Sequence, residues 1–236
     1  MKNRGQKSGA LRLCFIILLF SPIISFTQSN FSEIYDSDEY LKTGLELFEN
    51  GKFDEAVAQY NKITPTDINF LTAEYEKGYA LYSAQKYEEL EAILKKYKES
   101  GEINSIPEMY IIYGNLLSVL DRFEESEQIY LEGKQFIPNS NGLLYNMVIM
   151  YIRSEQLQKA VDTLKELVDL NPNNAMAHYL LGLLAFEDGQ VVQASLGFLG
   201  YLTIDPHGKH SRDAILKMIT KFGEVAKRNP VLIFSE

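Results

Sequence analysis

Chemistry in this chain would have to come from few groups. The 236 residues hold three histidines and a single cysteine. The histidines are His178, His207 and His210, and the cysteine is Cys14. His207-Gly-Lys-His210 places two imidazoles near a helix start, but a zinc site takes three or four ligands and this spacing supplies no third. Carboxylates stand in pairs at Glu88-Glu89 and Glu124-Glu125. Both pairs follow turns, where a helix start accommodates acids. No glycine-rich phosphate loop, zinc-protease motif or nucleophile elbow occurs. The sequence therefore assigns no catalytic residue, no cofactor and no metal, and implies no small-molecule substrate. The rest of the chain is read through the elements it forms.

Those elements repeat. Pro138, Pro172 and Pro206 stand 34 residues apart, twice in succession. Phe123, Leu157 and Val191 keep the same step, as do Ser126, Ala160 and Ala194, and Tyr130, Leu164 and Phe198. Gly114 and Gly182 are two periods apart, with Val148 between them. Each feature has a physical reason. A small residue lets two antiparallel helices cross closely, larger apolar residues fill the flanks, and polar turns such as Leu120-Asp121-Arg122 join the pair. The proline stops the second helix, since it lacks an amide donor and clashes with the preceding turn. Asn139 to Asn141 and Asn171 to Asn174 offer caps for the next unit.

This self-similarity resembles the tetratricopeptide repeat family. The resemblance implies an all-α, right-handed α-solenoid of five helix–turn–helix repeats, over 37–70, 71–104, 107–140, 141–174 and 175–208. Tyr40, Gly44, Leu47, Phe53, Ala56 and Tyr60 fit the first unit closely. The second is weaker, with Leu90 where the first has Ala56. From Gly78 to Gly114 the step is 36 residues, so two extra residues lie around 100–106. Residues 209–228 read as a helix capping the last apolar face, with Ile215, Ile219, Phe222 and Val225 at helical spacing and lysines on the polar side. Residues 229–236 form an apolar tail.

In that family the first helix of each repeat lines a concave groove. By register, the inward residues are Leu41, Leu45 and Phe48, then Tyr75, Tyr79 and Tyr82, then Ile111, Asn115 and Ser118. The fourth unit adds Tyr145, Ile149, Ile152 and Arg153, and the fifth Tyr179, Leu183 and Phe186. Aromatic rings with a polar tip give large contact areas at little entropy cost. One subset of the family grips a C-terminal carboxylate with an asparagine pair and basic residues. Asn115 and Asn146 match the pair, but Ile111, Met176 and Leu180 occupy the basic places, so the clamp is incomplete. The amides could still hold the backbone of an extended peptide. The resemblance thus implies a non-enzymatic scaffold or adaptor for a peptide or partner protein. The alternative is a permanently assembled accessory subunit of a cell-envelope machine for outer-membrane assembly, secretion or motility. His178 takes a place where large residues pack between helices, so a packing role is expected for it.

The first residues bear on location. Lys2, Arg4, Lys7 and Arg12 precede an apolar run from Leu13 to Phe20, broken by Pro22 and ending in small residues near Thr27. This reads as a secretory signal over 1–27, followed by a flexible leader at 28–36. Cys14 precedes the run instead of following it, so no lipid-accepting site is present. The chain is expected in the periplasm of a Gram-negative cell or outside it, or else anchored by an uncleaved segment. That segment is the only membrane contact implied. Cleavage would move the formal charge from −9 to −13, with 19 basic against 32 acidic residues. Such a balance opposes nucleic-acid binding, which relies on cations neutralising phosphates. Sequencing the protein from an envelope fraction is expected to return an N-terminus at or near Gln28. Intact Met1 in the cytoplasm would contradict export.

Overall fold

The computed structural model describes residues 37–228. The signal, leader and apolar tail read from the sequence lie outside them. The described residues form eleven α-helices and one 3-10 turn: α1 (37–49), α2 (Phe53–Tyr60), α3 (Phe70–Ser83), α4 (Tyr87–Ser100), the turn Glu102–Ser105, α5 (Met109–Val119), α6 (Phe123–Phe136), α7 (Asn141–Arg153), α8 (Leu157–Leu170), α9 (Ala175–Glu187), α10 (Val191–Ile204) and α11 (Ser211–Arg228). The all-α expectation holds. None of these helices is long and apolar enough to cross a membrane. The chain divides into two compact units within α4, one ending at Leu90 and the other starting at Glu91.

The turns repeat as the helices do. Gly51, Gln85, Asp121, Glu155 and Gly189 all adopt positive φ, between 57° and 74°. Each ends the first helix of its pair with two backbone bonds, as in Asp121 N–H to the Ser118 carbonyl and Arg122 N–H to that of Leu117. A left-handed residue after the last turn lets the chain reverse while satisfying carbonyls that the helix leaves open. The two extra residues between the second and third repeats are absorbed by the 3-10 turn. Gly101 enters it at φ 78°, and its Ile103 and Ile106 are buried. Two of the expected caps are made: the Ser140 hydroxyl accepts from Leu143 N at 3.2 Å, and the Asn174 amide oxygen from Ala177 N at 3.0 Å.

Within each pair the helices cross at a missing or minimal side chain. In the first unit, a β-carbon at Gly44 would collide with the ring of Tyr60, itself buried. In the second, Gly114 faces Tyr130 and Gly182 faces Phe198 in the same way. The Ser126 hydroxyl, also at a crossing, donates to the Gly114 carbonyl at 2.8 Å. Ala160 and Ala194 are buried at the matching places of α8 and α10. The fifth repeat goes further: Gly197 lies against the backbone of Gly182, and Gly200 against the ring of His178. The expected packing role of His178 is visible there.

Ion pairs join successive second helices of the second unit. Arg122 reaches Glu91 at 2.6 Å, Lys98 reaches Glu132 at 3.0 Å, Lys134 reaches Glu166 at 2.7 Å and Lys159 reaches Glu127 at 2.7 Å. Each partly exposed pair is worth at most about 1 kcal/mol, and together they link α4, α6 and α8. One period later, Lys134 and Glu166 become Val168 and Gly200, while Glu127 and Lys159 become Val161 and Gln193. The series stops before α10.

The capping helix seats in the reverse sense to that expected. Ala214 is buried and Met218 packs against the core between α9 and α10. The ammonium groups of Lys217 and Lys221 stand 5.3 and 4.7 Å from the Phe186 ring, and Asp213 accepts from the Tyr179 hydroxyl at 2.7 Å. The last first helix offers a ring face and a hydroxyl, which suit lysine ammoniums and a carboxylate. Ile215, Leu216, Ile219 and Phe222 are therefore exposed.

Ala160→Leu and Gly197→Ala should both lower the thermal midpoint, each costing roughly 1–3 kcal/mol by overpacking. Unchanged midpoints in both variants would show that these are not the crossings.

Candidate functional site

Eleven of the residues singled out in the sequence, Tyr75, Tyr79, Tyr82, Asn115, Tyr145, Asn146, Ile149, Arg153, Tyr179, Leu183 and Phe186, are the candidates for binding and divide into three groups. In the first unit, Tyr75, Tyr79 and Tyr82 are half-buried on α3. Tyr75 and Tyr79 meet edge to face with ring centroids 5.1 Å apart, and Tyr82 lies 5.9 Å from Tyr87. Each of the three rings on α3 thus rests against another aromatic ring, that of Tyr82 reaching across to α4.

In the second unit, α7 carries Tyr145, Asn146 and Ile149, all half-exposed. Spacings of three and four residues put them on one side of the helix. Tyr145 leans on the core that α7 shares with α8. Among the described residues the Asn146 amide has no hydrogen-bond partner, so its donor and its acceptor are both available. Asn115 differs: its amide oxygen accepts from the Tyr130 hydroxyl at 2.6 Å, which leaves chiefly its NH2 for a ligand.

The remaining four are engaged in packing. Arg153, expected as the cation of the face, donates to the Ser118 carbonyl at 2.8 Å and to Asp121 at 2.9 Å, with its guanidinium 5.7 Å from the Phe123 ring. It ties α7 to the turn of the preceding repeat, because that turn presents a carbonyl and a carboxylate within its reach. Tyr179 is buried against α11, stacked on His210 at 4.3 Å. Burial and the hydrogen bond to Asp213 push its hydroxyl up to about 12, so it stays a neutral donor. That same bond, helped by Lys217, holds the Asp213 carboxyl below its ordinary range. Leu183 and Phe186 pack on the core of α9 and α10, and Phe186 lies under Lys217 and Lys221. The capping helix thus takes over the face of the fifth repeat. Ile111 and Ser118 are also buried. His210 is held between Tyr179 and Tyr201 by ring contacts, and among the described residues no group of three or more His, Cys, Asp or Glu side chains is placed to hold a metal.

A second surface was not foreseen. A groove of about 880 Å³ opens between α8 and α10, with α9 as its floor. Leu157, Val161, Leu181, Leu184 and Leu196 give it an apolar lining, and Lys165, Glu187 and Asp188 stand among its polar residues. Leu181 and Leu184 lie one period after Met147 and Met150, which are fully covered in the fourth repeat. The groove opens where the interhelix ion pairs stop. Beside it, α10 has no charged residue and exposes Val192, Leu196 and Leu199. That uncharged second helix was the signal in the sequence that could have found this surface.

The packing and surface groups should separate in stability. Tyr179→Ala removes a buried ring and a hydrogen bond and should cost about 3–5 kcal/mol. Asn146→Ala should stay within about 0.5 kcal/mol, as surface changes do. Thermal or urea melts of the two variants check this, and equal losses would contradict the assignment.

Comparison with known proteins bears on the fold. Residues 150–189 match a family profile described as TPR repeat. No curated protein sequence matches the chain. Among solved structures, pilF of Pseudomonas aeruginosa is similar with a TM-score of 0.63 at 15% identity, covering 84% of this chain and 94% of that one. PilW, a widely conserved type IV pilus biogenesis factor, has a TM-score of 0.61 at 16% identity over 85% and 95% of the two chains. YrrB, a TPR protein with an unusual peptide-binding site, has a TM-score of 0.56 at 18% identity over 80% and 96%. Identities this low speak to fold. The chain has the fold of tetratricopeptide-repeat proteins, with helices packed in sequential pairs, and carries a TPR repeat at residues 150–189.

Proposed function

We propose that this protein is a non-enzymatic scaffold that holds a peptide segment or partner protein on the first helices of its repeats. Tyr145, Asn146 and Ile149 of α7 form the centre of the site. The observation that carries the reading is the unpartnered Asn146 amide between a half-exposed tyrosine and an isoleucine. An amide offers a peptide backbone one acceptor and two N–H donors, and the flanking side chains give apolar area for whatever the peptide projects. Tyr75, Tyr79 and Tyr82 form a separate aromatic strip for a further contact in the first unit. The likeness to YrrB, a TPR protein with a peptide-binding site, supports peptide recognition on this fold. The basic and apolar N-terminal residues support export, which places the partner in the cell envelope or outside the cell.

A second reading is favoured by α10. Its uncharged sequence and exposed Val192, Leu196 and Leu199 suit a subunit held permanently in a larger envelope assembly. The likeness to PilW, a pilus biogenesis factor, is consistent with that role.

The test begins with affinity capture from envelope extract, followed by affinities for the captured partner. Tyr145→Ala should weaken binding by 2 kcal/mol or more, about thirtyfold. Asn146→Ala should cost about 1 kcal/mol, the net worth of a hydrogen bond. Lys96→Ala, on the exposed side of α4, should change nothing. Equal affinities across the three variants would exclude the α7 face.

A further inference from the structure

We propose that the outer face of α11 is a docking site for an amphipathic helix of a partner protein with acidic flanks. This surface is separate from the α7 site. The register of the repeat identifies what the face is built to accept. One and two periods before Leu216 stand Gly182 and Val148, and one and two periods before Ile219 stand Ala185 and Tyr151. In the fourth repeat these places are covered, with Tyr151 held between Glu127 of α6 and Lys159 of α8, leaving Val148 at 0% and Tyr151 at 4% exposure. In the fifth, α10 closes on Gly182. On α11 the same places hold Leu216 at 52% and Ile219 at 63% exposure, with Ile215 and Phe222 exposed beside them. The helix sits where a sixth repeat would begin, and the described residues hold no second helix to cover it. The open face continues an interface that the chain makes again and again within itself.

The size and charge of the face narrow the occupant. Where a complete repeat sets a glycine against an aromatic ring, Leu216 is large, so the incoming helix should carry a small residue at the crossing. The α7–α8 pair is the nearest example, with Val148 on one side and Ala160 on the other. Helix α11 holds five basic and two acidic side chains, a net charge of +3 in a chain of −9. Arg212 and Lys227 are exposed. Two copies facing each other through this helix would set like charges together, whereas acidic flanks would complement it. Lys217 and Lys221 are turned toward Phe186, with Asp213 and Glu224 as ion partners. They are thus withdrawn from an anionic lipid surface, which an interfacial helix would bind with its lysines.

The test uses the full chain and a fluorescein-labelled synthetic copy of Leu157–Leu170 carrying Lys159→Glu and Lys165→Glu, an acidic amphipathic helix with Ala160 at its crossing. Fluorescence anisotropy should show saturable binding. Ile219→Asp should weaken it about tenfold or more, in line with loss of a central anchor, with the thermal midpoint unchanged. A peptide with Asp162, Glu166 and Asp169 changed to lysine should bind about tenfold more weakly as well. The proposal is overturned if Ile219→Asp and the parent chain bind the acidic peptide equally. It is overturned in favour of the chain's own tail if Leu232→Asp with Phe234→Asp raises peptide affinity tenfold. A concentration-dependent dimer in light scattering that Ile219→Asp abolishes would assign the face to a second copy. Binding to phosphatidylglycerol vesicles, lost in Ile219→Asp, in place of the peptide would assign it to a membrane. The Tyr145 and Asn146 variants should bind this peptide as the parent does, so failure here and failure of the α7 site can be told apart.

Discussion

A large side chain on one helix, set against a missing or minimal one on its partner, is the contact on which the rest of this structure depends. Tyr60 does it over Gly44, Tyr130 over Gly114 and Phe198 over Gly182. The close crossing fixes the angle of each pair, and that angle decides which residues of the first helix are covered by the second and which are left to solvent. The availability of Tyr145, Asn146 and Ile149 follows from it, as does the burial of Leu144, Val148 and Tyr151 on the other sides of the same helix. Overfilling a crossing would therefore disturb recognition as well as stability, because interiors packed this tightly pass strain to their neighbours.

The repeats are not equivalent. The third and fourth are knit by ion pairs between α4, α6 and α8. In the fifth, Gly182, Gly197 and Gly200 draw α10 onto α9, the charged rungs become Val161, Gln193, Val168 and Gly200, and a groove opens beside an uncharged helix. The following helix then turns its aliphatic side outward. Helix α10 exposes Val192, Leu196 and Leu199 and carries no charge, and α11 exposes Leu216 and Ile219.

The repeat itself was legible because period, turn and breaker are local properties. The 34-residue step recurs in the positive-φ turns at Gly51, Gln85, Asp121, Glu155 and Gly189. Pro138, Pro172 and Pro206 follow the ends of α6, α8 and α10, and the insertion near Ser100 is the 3-10 turn at Glu102–Ser105. Side-chain commitments were less legible, because they depend on what a neighbouring element supplies. Arg153 is the only cation at the inward positions, yet the carbonyl of Ser118 and the carboxylate of Asp121 lie in reach and take it. Tyr179 keeps the spacing of Tyr145, but α11 covers one and not the other. The face of α11 was misassigned because spacing alone does not reveal that Phe186 and Tyr179 would accept lysines and an aspartate.

The central claim is that the first-helix face of α7 holds the partner. Incorporation of the photo-crosslinker p-benzoylphenylalanine at position 145, with position 96 on α4 as the comparison, tests it in living cells. The account predicts a crosslinked partner band on irradiation of the position-145 protein and none for position 96. A band at position 96 alone, or equal bands at both, would contradict it.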